Sequence, residues 1–493
     1  MGIIARQSLF NAVWIYIGIA LGAIATLILY PQILETDQYG LTRVLISASI
    51  IGAQFAHLGI RNSVIRFFPF FKNPANRHNG LLFLAITVPL IGFLIYAVIF
   101  WLFRDSLIGF YAEQSPLVVE FYLYILPITL FILYFEVFNS YLRSLQDSTT
   151  GSLVNEVLLR LLVILSLVIH WLEWISFETF ILFFTLSYGL QPLLLIAVLW
   201  RMGELSLFPR LSFIKRRIAR SMAAYGFYTL LGGLTTIITG NIDILMLSSM
   251  AGLSETGIYA IAFYIGSVIT VPQHAIGKIA TPLIAEHLQN NNMGEVQEIY
   301  QKSSLNQLIT GIFIFALIWA NVDSLMGILP ETYQGGRWVV LFIGLGKLFD
   351  MATGTNGSII LTSKYYRFDL FTSLLLIVFT IATNLLLIPE YGMNGAALAT
   401  MLSIFVYNLI KYFFVWARFS MQPFRASALW ACLLGLAALF AALAVPDLPV
   451  LADVTVRSLV ILLLFALPVW RLRLSPELNR MVKNAITMRN RIH

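Results

Sequence analysis

Apolar runs of about 20 residues recur from end to end of this 493-residue chain, and each is long enough to cross ~30 Å of hydrocarbon. A backbone in lipid must satisfy its own hydrogen bonds, which leaves helices or a closed barrel. The runs are continuous and do not alternate with period two, so a barrel is excluded. The sequence predicts an all-α, polytopic membrane protein. Its composition agrees: 59% of residues are hydrophobic and 11% charged, against roughly 25% charged in soluble domains.

Fourteen spans are expected, at roughly 9–30, 41–62, 80–103, 117–142, 152–172, 177–200, 222–248, 258–284, 305–329, 337–361, 368–389, 394–417, 427–446 and 456–473. With both ends in the cytosol, 23 of the 31 Lys and Arg fall on the cytosolic side. Four, Arg43, Arg104, Arg337 and Arg457, lie at outer loops or span edges, and Arg160, Lys278, Lys347 and Lys411 lie within spans. That asymmetry is the positive-inside pattern, and it accounts for the net charge of +7 without nucleic acid. The first run is too long for a signal-peptide core and is expected to remain as a span. Arg6 stands where myristoylation after Met1-Gly2 would need Ser or Thr. The single cysteine, Cys432, excludes an intrachain disulfide and reads as a small core residue.

Residues 35–39, Glu-Thr-Asp-Gln-Tyr, nearly recur as Glu-Thr-Gly-Ile-Tyr at 255–259, 220 positions on. A repeat of that period predicts two six-helix lobes of the same orientation in parallel pseudo-symmetry, the plan of transporters that bind substrate where repeats meet. The expected divisions are an N-lobe at 1–200, a basic connector at 201–221, a C-lobe at 222–418, spans 13 and 14 within 419–474, and a basic tail at 475–493. In the connector, Leu211, Ile214 and Ile218 recur at helical spacing beside Arg210, Lys215, Arg216, Arg217 and Arg220. That pattern predicts an amphipathic helix on anionic inner-leaflet lipids. In the tail, Ser475-Pro476 has the form of a helix start, followed by Leu478, Met481, Val482, Ala485 and Ile486 as an apolar stripe.

No predicted loop exceeds about 25 residues, which leaves little room for the external domain of a polymerising enzyme. There is no P-loop and no metal-ligand spacing, so no catalytic residue, metal or cofactor is expected. The informative residues are polar ones inside spans. Arg43, Ser47, Gln54, His57 and Arg61 share one face of the second span at about 100° per residue. Its repeat equivalent carries Tyr264, Ser267, His274 and Lys278 in a similar sector. Polar groups facing lipid are costly, so these faces should meet protein or water. Arg43, Gln54, His57, Arg61, His274 and Lys278 are therefore the candidate substrate contacts. Asp243, on a face with Thr229, Gly232, Thr236 and Thr239, is a candidate ion-coupling carboxylate. Lys347 and Asp350, three apart in the tenth span, read as a self-neutralising pair that serves a gate or a second coupling site. Glu156 and Arg160, four apart, read as an internal pair, and Glu136, Asn139, Ser140 and Arg143 share a face of the fourth span. Gly18 and Gly22 on the first span permit close helix packing.

Three stretches carry a resemblance. They are Gln38-Tyr39-Gly40 with Leu58-Gly59 through Arg66-Phe67; Asn241-Ile242-Asp243 to Thr256-Gly257-Ile258-Tyr259; and Ile388-Pro389-Glu390-Tyr391-Gly392 running on to Gly395-Ala396-Ala397. In these the chain resembles polysaccharide exporters of the multidrug/oligosaccharidyl-lipid/polysaccharide superfamily. The resemblance implies a flippase that moves undecaprenyl-diphosphate-linked oligosaccharides across a bacterial plasma membrane by alternating access. Glycosyltransferases and a polysaccharide polymerase are the protein partners it implies. A cationic cavity suits a lipid diphosphate crossing low dielectric. An ion-coupled multidrug antiporter, a lipid II flippase and a membrane glycosyl-transfer enzyme are the alternatives. The first span lacks the arginines of the lipid II flippases and the carboxylate of the drug antiporters.

Overall fold

The computed structural model describes residues 3–208, 213, 215–446 and 448–480. Every regular element among them is helical. The chain forms two compact units that divide between Gly257 and Ile258. In the first, α1 (Ile3–Ile24) runs through a π-turn at Ala25–Leu29 into Tyr30–Ile33. It is followed by α2 (Thr36–Ala56), α3 (Ile60–Phe71), α4 (Leu81–Leu102), α5 (Ile125–Ser144), α6 (Leu159–Trp171), α7 (Phe177–Arg201) and α8 (Arg216–Met250). The helix α9 (Leu253–Ser267) carries the chain across the division. The second unit continues with α10 (Val271–Gln289), α11 (Met293–Ala320), α12 (Arg337–Ala352), α13 (Asn356–Thr362), α14 (Tyr366–Phe419), α15 (Ala426–Leu443) and α16 (Val450–Ile461).

Among the described residues, 11 helices are long and apolar enough to cross a membrane, or up to 13 if each of two bent pairs is one span. The 54 residues of α14 would measure ~80 Å if straight, far more than a bilayer needs. They do not run straight, because Gly392 leaves helical geometry (φ 54°, ψ −132°). Thr383 and Ser403, 20 residues apart in sequence, bring their hydroxyls within 3.4 Å, so the two arms are antiparallel. Counting the arms separately, the set is consistent with the expected fourteen spans. Large apolar side chains such as Leu102, Leu386 and Leu451 are exposed, as a lipid-facing surface requires.

Two spans expected as straight helices are bent. The α2–α3 pair turns by 42° and the segment Glu331–Ala352 with Asn356–Thr362 by 53°. The first bend has a local cause. Leu58 and Gly59 adopt left-handed backbone angles (φ 47° and 77°), which end α2 at His57. Gly59 also meets the α8 backbone so closely that a Cβ there would lie 2.0 Å from the carbonyl oxygen of Gly226. Only glycine combines that φ with that approach.

The repeated outer turns acquire distinct structures. Glu35 and Gln38 form a reciprocal capping box at the start of α2, with the Glu35 amide donating to Gln38 Oε1 at 3.2 Å. In the second copy Glu255 lies within the first turn of α9. The two turns touch: the hydroxyls of Thr36 and Ser254 are 2.7 Å apart, and a Cβ on Gly40 would lie 2.1 Å from the Leu253 carbonyl oxygen.

The basic segments fall partly outside the described residues, which omit Arg210, Leu211 and Ile214 of the connector and Met481, Val482, Ala485 and Ile486 of the tail. What is described of the connector differs from a separate amphipathic helix. Residues 204–208 are not helical, and Arg216, Arg217, Ile218 and Arg220 form the first turns of α8. Ser475 accepts the Leu478 amide on its Oγ at 3.2 Å, the geometry of a helix cap.

Candidate substrate and coupling sites

The polar face of α2 is buried against protein along most of its length. Gln54 is 6% and His57 4% exposed. Gln54 donates from Nε2 to the Leu230 carbonyl of α8 at 3.4 Å. His57 Nδ1 accepts the Gly59 amide at 2.8 Å, which leaves Nε2 as the protonated nitrogen that donates to Gln54 Oε1 at 3.0 Å. Ser63 of α3 adds a 3.0 Å bond to the Met222 carbonyl. Gln54 and His57 thus hold the α2 break and the α2–α8 contact. Arg61 forms a 3.1 Å ion pair with Glu136 of α5.

Arg43, near the other end of α2, is different. Its Nε is buried and has no hydrogen-bond partner, and one turn on, the buried Ser47 hydroxyl has none either. No ion pair is formed by Arg43 among the described residues. It lies within electrostatic range of the Tyr30 and Tyr188 hydroxyls, and Arg160 also acts on Tyr188. A second polar cluster lies on α6 and its lead-in. A π-turn at Leu153–Leu158 presents Asn155 and Glu156. Gln191 of α7 donates to Asn155 Oδ1 at 3.2 Å, and Arg160 pairs with Glu156 at 3.0 Å while also donating to the Gly18 carbonyl. Gly18 and Gly22 make room for these side chains; a Cβ on Gly22 would overlap Arg160 Nη1.

A second stretch of α8 is open among the described residues. A Cβ on Gly232 or Gly240 would find no atom within 4 Å, and Thr236 between them is exposed. Asp243, one turn beyond, is buried at 4% exposure.

In the second unit, His274 and Lys278 lie one turn apart on α10, both exposed. A cation facing hydrocarbon is expensive, so such a face needs water or an anion. The expected pair of Lys347 with Asp350 does not form. Both carboxylate oxygens of Asp350 are taken by neutral amides: Asn408 Nδ2 of α14 reaches Oδ1 at 2.8 Å and Gln273 Nε2 of α10 reaches Oδ2 at 2.8 Å. Two donors already aligned on other helices outcompete a long, flexible lysine three residues away. Thr353 and Asn356 complete the network by donating to Asn408 Oδ1. Lys347 is half-buried and enters no ion pair among the described residues.

A buried pair was not anticipated. Lys411, 4% exposed, meets Asp369 at 2.7 Å and also donates to the Tyr407 hydroxyl, which ties the two arms of α14 together. Gln273, Asn408, Asn155 and Gln191 were missed as well. Their common signal is an amide inside an apolar run, but their partners lie on other helices.

The polysaccharide biosynthesis protein family model matches residues 6–287. A probable low-salt glycan biosynthesis flippase, Agl15 of Haloferax volcanii, is 21% identical over 248 residues, covering 50% of this chain and 52% of that protein. The chain spans about half the length of the curated relatives it matches. Among solved structures, the inward closed conformation of the lipid II flippase MurJ aligns with a TM-score of 0.75 at 13% identity, covering 94% of this chain and 99% of that one. An inward-facing MATE multidrug transporter of the MOP superfamily aligns with a TM-score of 0.64 at 15% identity, covering 84% and 94%. These two likenesses show the fold alone. The chain belongs to the polysaccharide biosynthesis protein family.

Proposed function

We propose that the protein is a transporter that flips an undecaprenyl-diphosphate-linked oligosaccharide from the inner to the outer leaflet of a bacterial plasma membrane, by alternating access, for surface polysaccharide synthesis. The observation that supports this reading is Arg43, a cation inside an apolar chain whose buried Nε has no hydrogen-bond partner and which forms no ion pair among the described residues. A diphosphate supplies the oxygens that such a group lacks, through charge-assisted hydrogen bonds. Lys278 and His274, exposed on α10, are the substrate contacts the reading assigns to the second unit. Gln54, His57 and Arg61 act at one remove, by fixing the bend that sets the direction of α2. Family membership and the glycan flippase relative support the substrate class.

For coupling, the reading assigns Asp350 a proton or monovalent cation. Gln273 and Asn408 occupy both of its oxygens but bring no charge, so neither amide is a counter-ion to the carboxylate. Asp243 is the alternative carboxylate, and Lys347 a gate residue.

The test is complementation of a deletion strain, with surface polysaccharide as the readout. Wild-type protein should restore export, and Arg43→Gln with Lys278→Gln should insert normally and restore none. Drug efflux in vesicles, with surface glycan unaffected by deletion, would replace this reading with the antiporter one.

A further inference from the structure

The first unit contains a concavity that the proposed substrate contacts leave unused. It is a groove of about 870 Å³ between α4, α5, α6 and α7, near the upper end of the ~300–1,000 Å³ typical of ligand pockets. Ile86, Leu130, Leu165, Leu190 and Leu193 line it from the four helices, and Leu207, after α7, lines it as well. Along α7 it extends from Phe183 to Ile196, ~20 Å at 1.5 Å per residue.

One end of the groove is flanked by positive charge. Beyond the end marked by Ile196 and Leu207 stand three exposed arginines. Arg201 follows Ile196 by about one and a half turns of α7, and Arg143 follows the groove residue Phe138 likewise on α5. Arg77 lies 5.4 Å from the ring centroid of Phe208, the neighbour of Leu207. None forms an ion pair among the described residues. The nearby acids are engaged: Glu204 with His78 at 3.0 Å, and Asp147 in capping Thr149 and Thr150. This is the end that the positive-inside pattern directs to the cytosol.

A chain already dissolved in lipid gains no hydrophobic free energy by moving into an apolar groove. Selective occupancy must come from a headgroup held at the rim. We infer that the groove is the loading station for the substrate's polyprenyl chain, taken from the cytosolic leaflet with its diphosphate on Arg77, Arg143 and Arg201. This rests on the proposed function and adds to it a docking site for the tail, separate from Arg43.

The test uses full-length protein in nanodiscs of phosphatidylethanolamine and phosphatidylglycerol, with a polyprenyl diphosphate bearing a diazirine at its chain end. Labelled peptides are mapped by mass spectrometry. Labelling should concentrate at residues 162–169 and 186–193, and unlabelled polyprenyl diphosphate should displace it, whereas extra phosphatidylglycerol should not. Changing the three arginines to glutamine should weaken capture about tenfold, and Leu190→Trp should abolish labelling in the groove. Labelling spread evenly over lipid-facing positions such as Leu451 and Leu463, or displaced equally by phosphatidylglycerol, reduces the groove to ordinary lipid contact and overturns the inference. The transport reading is scored separately. Flipping at the wild-type rate by Leu190→Trp removes the groove and keeps the flippase, while groove labelling in a protein that moves no lipid-linked glycan keeps the groove and removes the flippase.

Discussion

Replacing Arg43 by methionine separates a ligand-binding arginine from a structural one. Leaving a buried polar group without a partner costs ~1–3 kcal/mol. Of the Arg43 nitrogens, only Nε is both buried and unpartnered, which places the cost near ~1 kcal/mol. Methionine keeps most of the apolar stem and removes the orphaned donor. Arg43→Met should therefore unfold no lower than wild type in detergent, and higher by ~2 °C if the full ~1 kcal/mol is recovered. Function should move the opposite way. Hydrogen bonds to a charged group contribute ~1.5–3 kcal/mol, so loss of the diphosphate contact should weaken binding of undecaprenyl diphosphate about ten- to hundredfold. The assays are thermal unfolding followed by intrinsic fluorescence, and ligand titration of the purified protein. A variant that melts several degrees lower and binds the diphosphate as tightly as wild type refutes the reasoning, because Arg43 would then hold the fold.

Four further outcomes follow from the geometry. Gly59→Val should lower stability by ~2–5 kcal/mol, combining a left-handed backbone with overlap at Gly226, whereas Gly277→Ala, where a Cβ meets nothing within 4 Å, should be neutral or stabilising by up to ~1 kcal/mol in thermal unfolding. Asp350→Asn should remove the dependence of transport on an imposed ion gradient in proteoliposomes, and unchanged gradient dependence would exclude Asp350 from coupling. Lys347→Met should leave thermal stability within ~0.5 kcal/mol of wild type, since no ion pair is lost, and a drop of several kcal/mol would restore the pairing with Asp350.

The sequence made the membrane architecture legible because hydrophobic length is a local property. Each run declares a span without reference to its neighbours, and the reversal at Gly392 falls between two runs already read as separate. Helix periodicity put Gln54, His57 and Arg61 on one face of a single helix, but Arg61 lies beyond the break, on α3, and meets α5, whereas Gln54 meets α8. It could not say what that face meets. His57 turned out to cap the helix break, and Arg61 found Glu136, because those outcomes depend on left-handed angles at Leu58 and Gly59 and on the position of α5. Asp350 shows the same limit more sharply. Its nearest cation in sequence is Lys347, but Gln273 and Asn408, 77 and 58 residues away, hold both its oxygens. Spacing rules describe one helix at a time, while buried polar groups are satisfied across helices. The apolar groove left no sequence signature, since its leucines look like those of any lipid-facing surface.

The central claim is tested most directly by flipping in proteoliposomes. Purified protein is reconstituted with a fluorescent undecaprenyl-diphosphate-linked oligosaccharide, and the fraction reaching the outer leaflet is read by its accessibility to a membrane-impermeant quencher. Wild-type protein is expected to equilibrate the lipid across the bilayer, and the Arg43→Gln, Lys278→Gln protein to leave it where it was loaded. Flipping by the double variant at the wild-type rate contradicts the account.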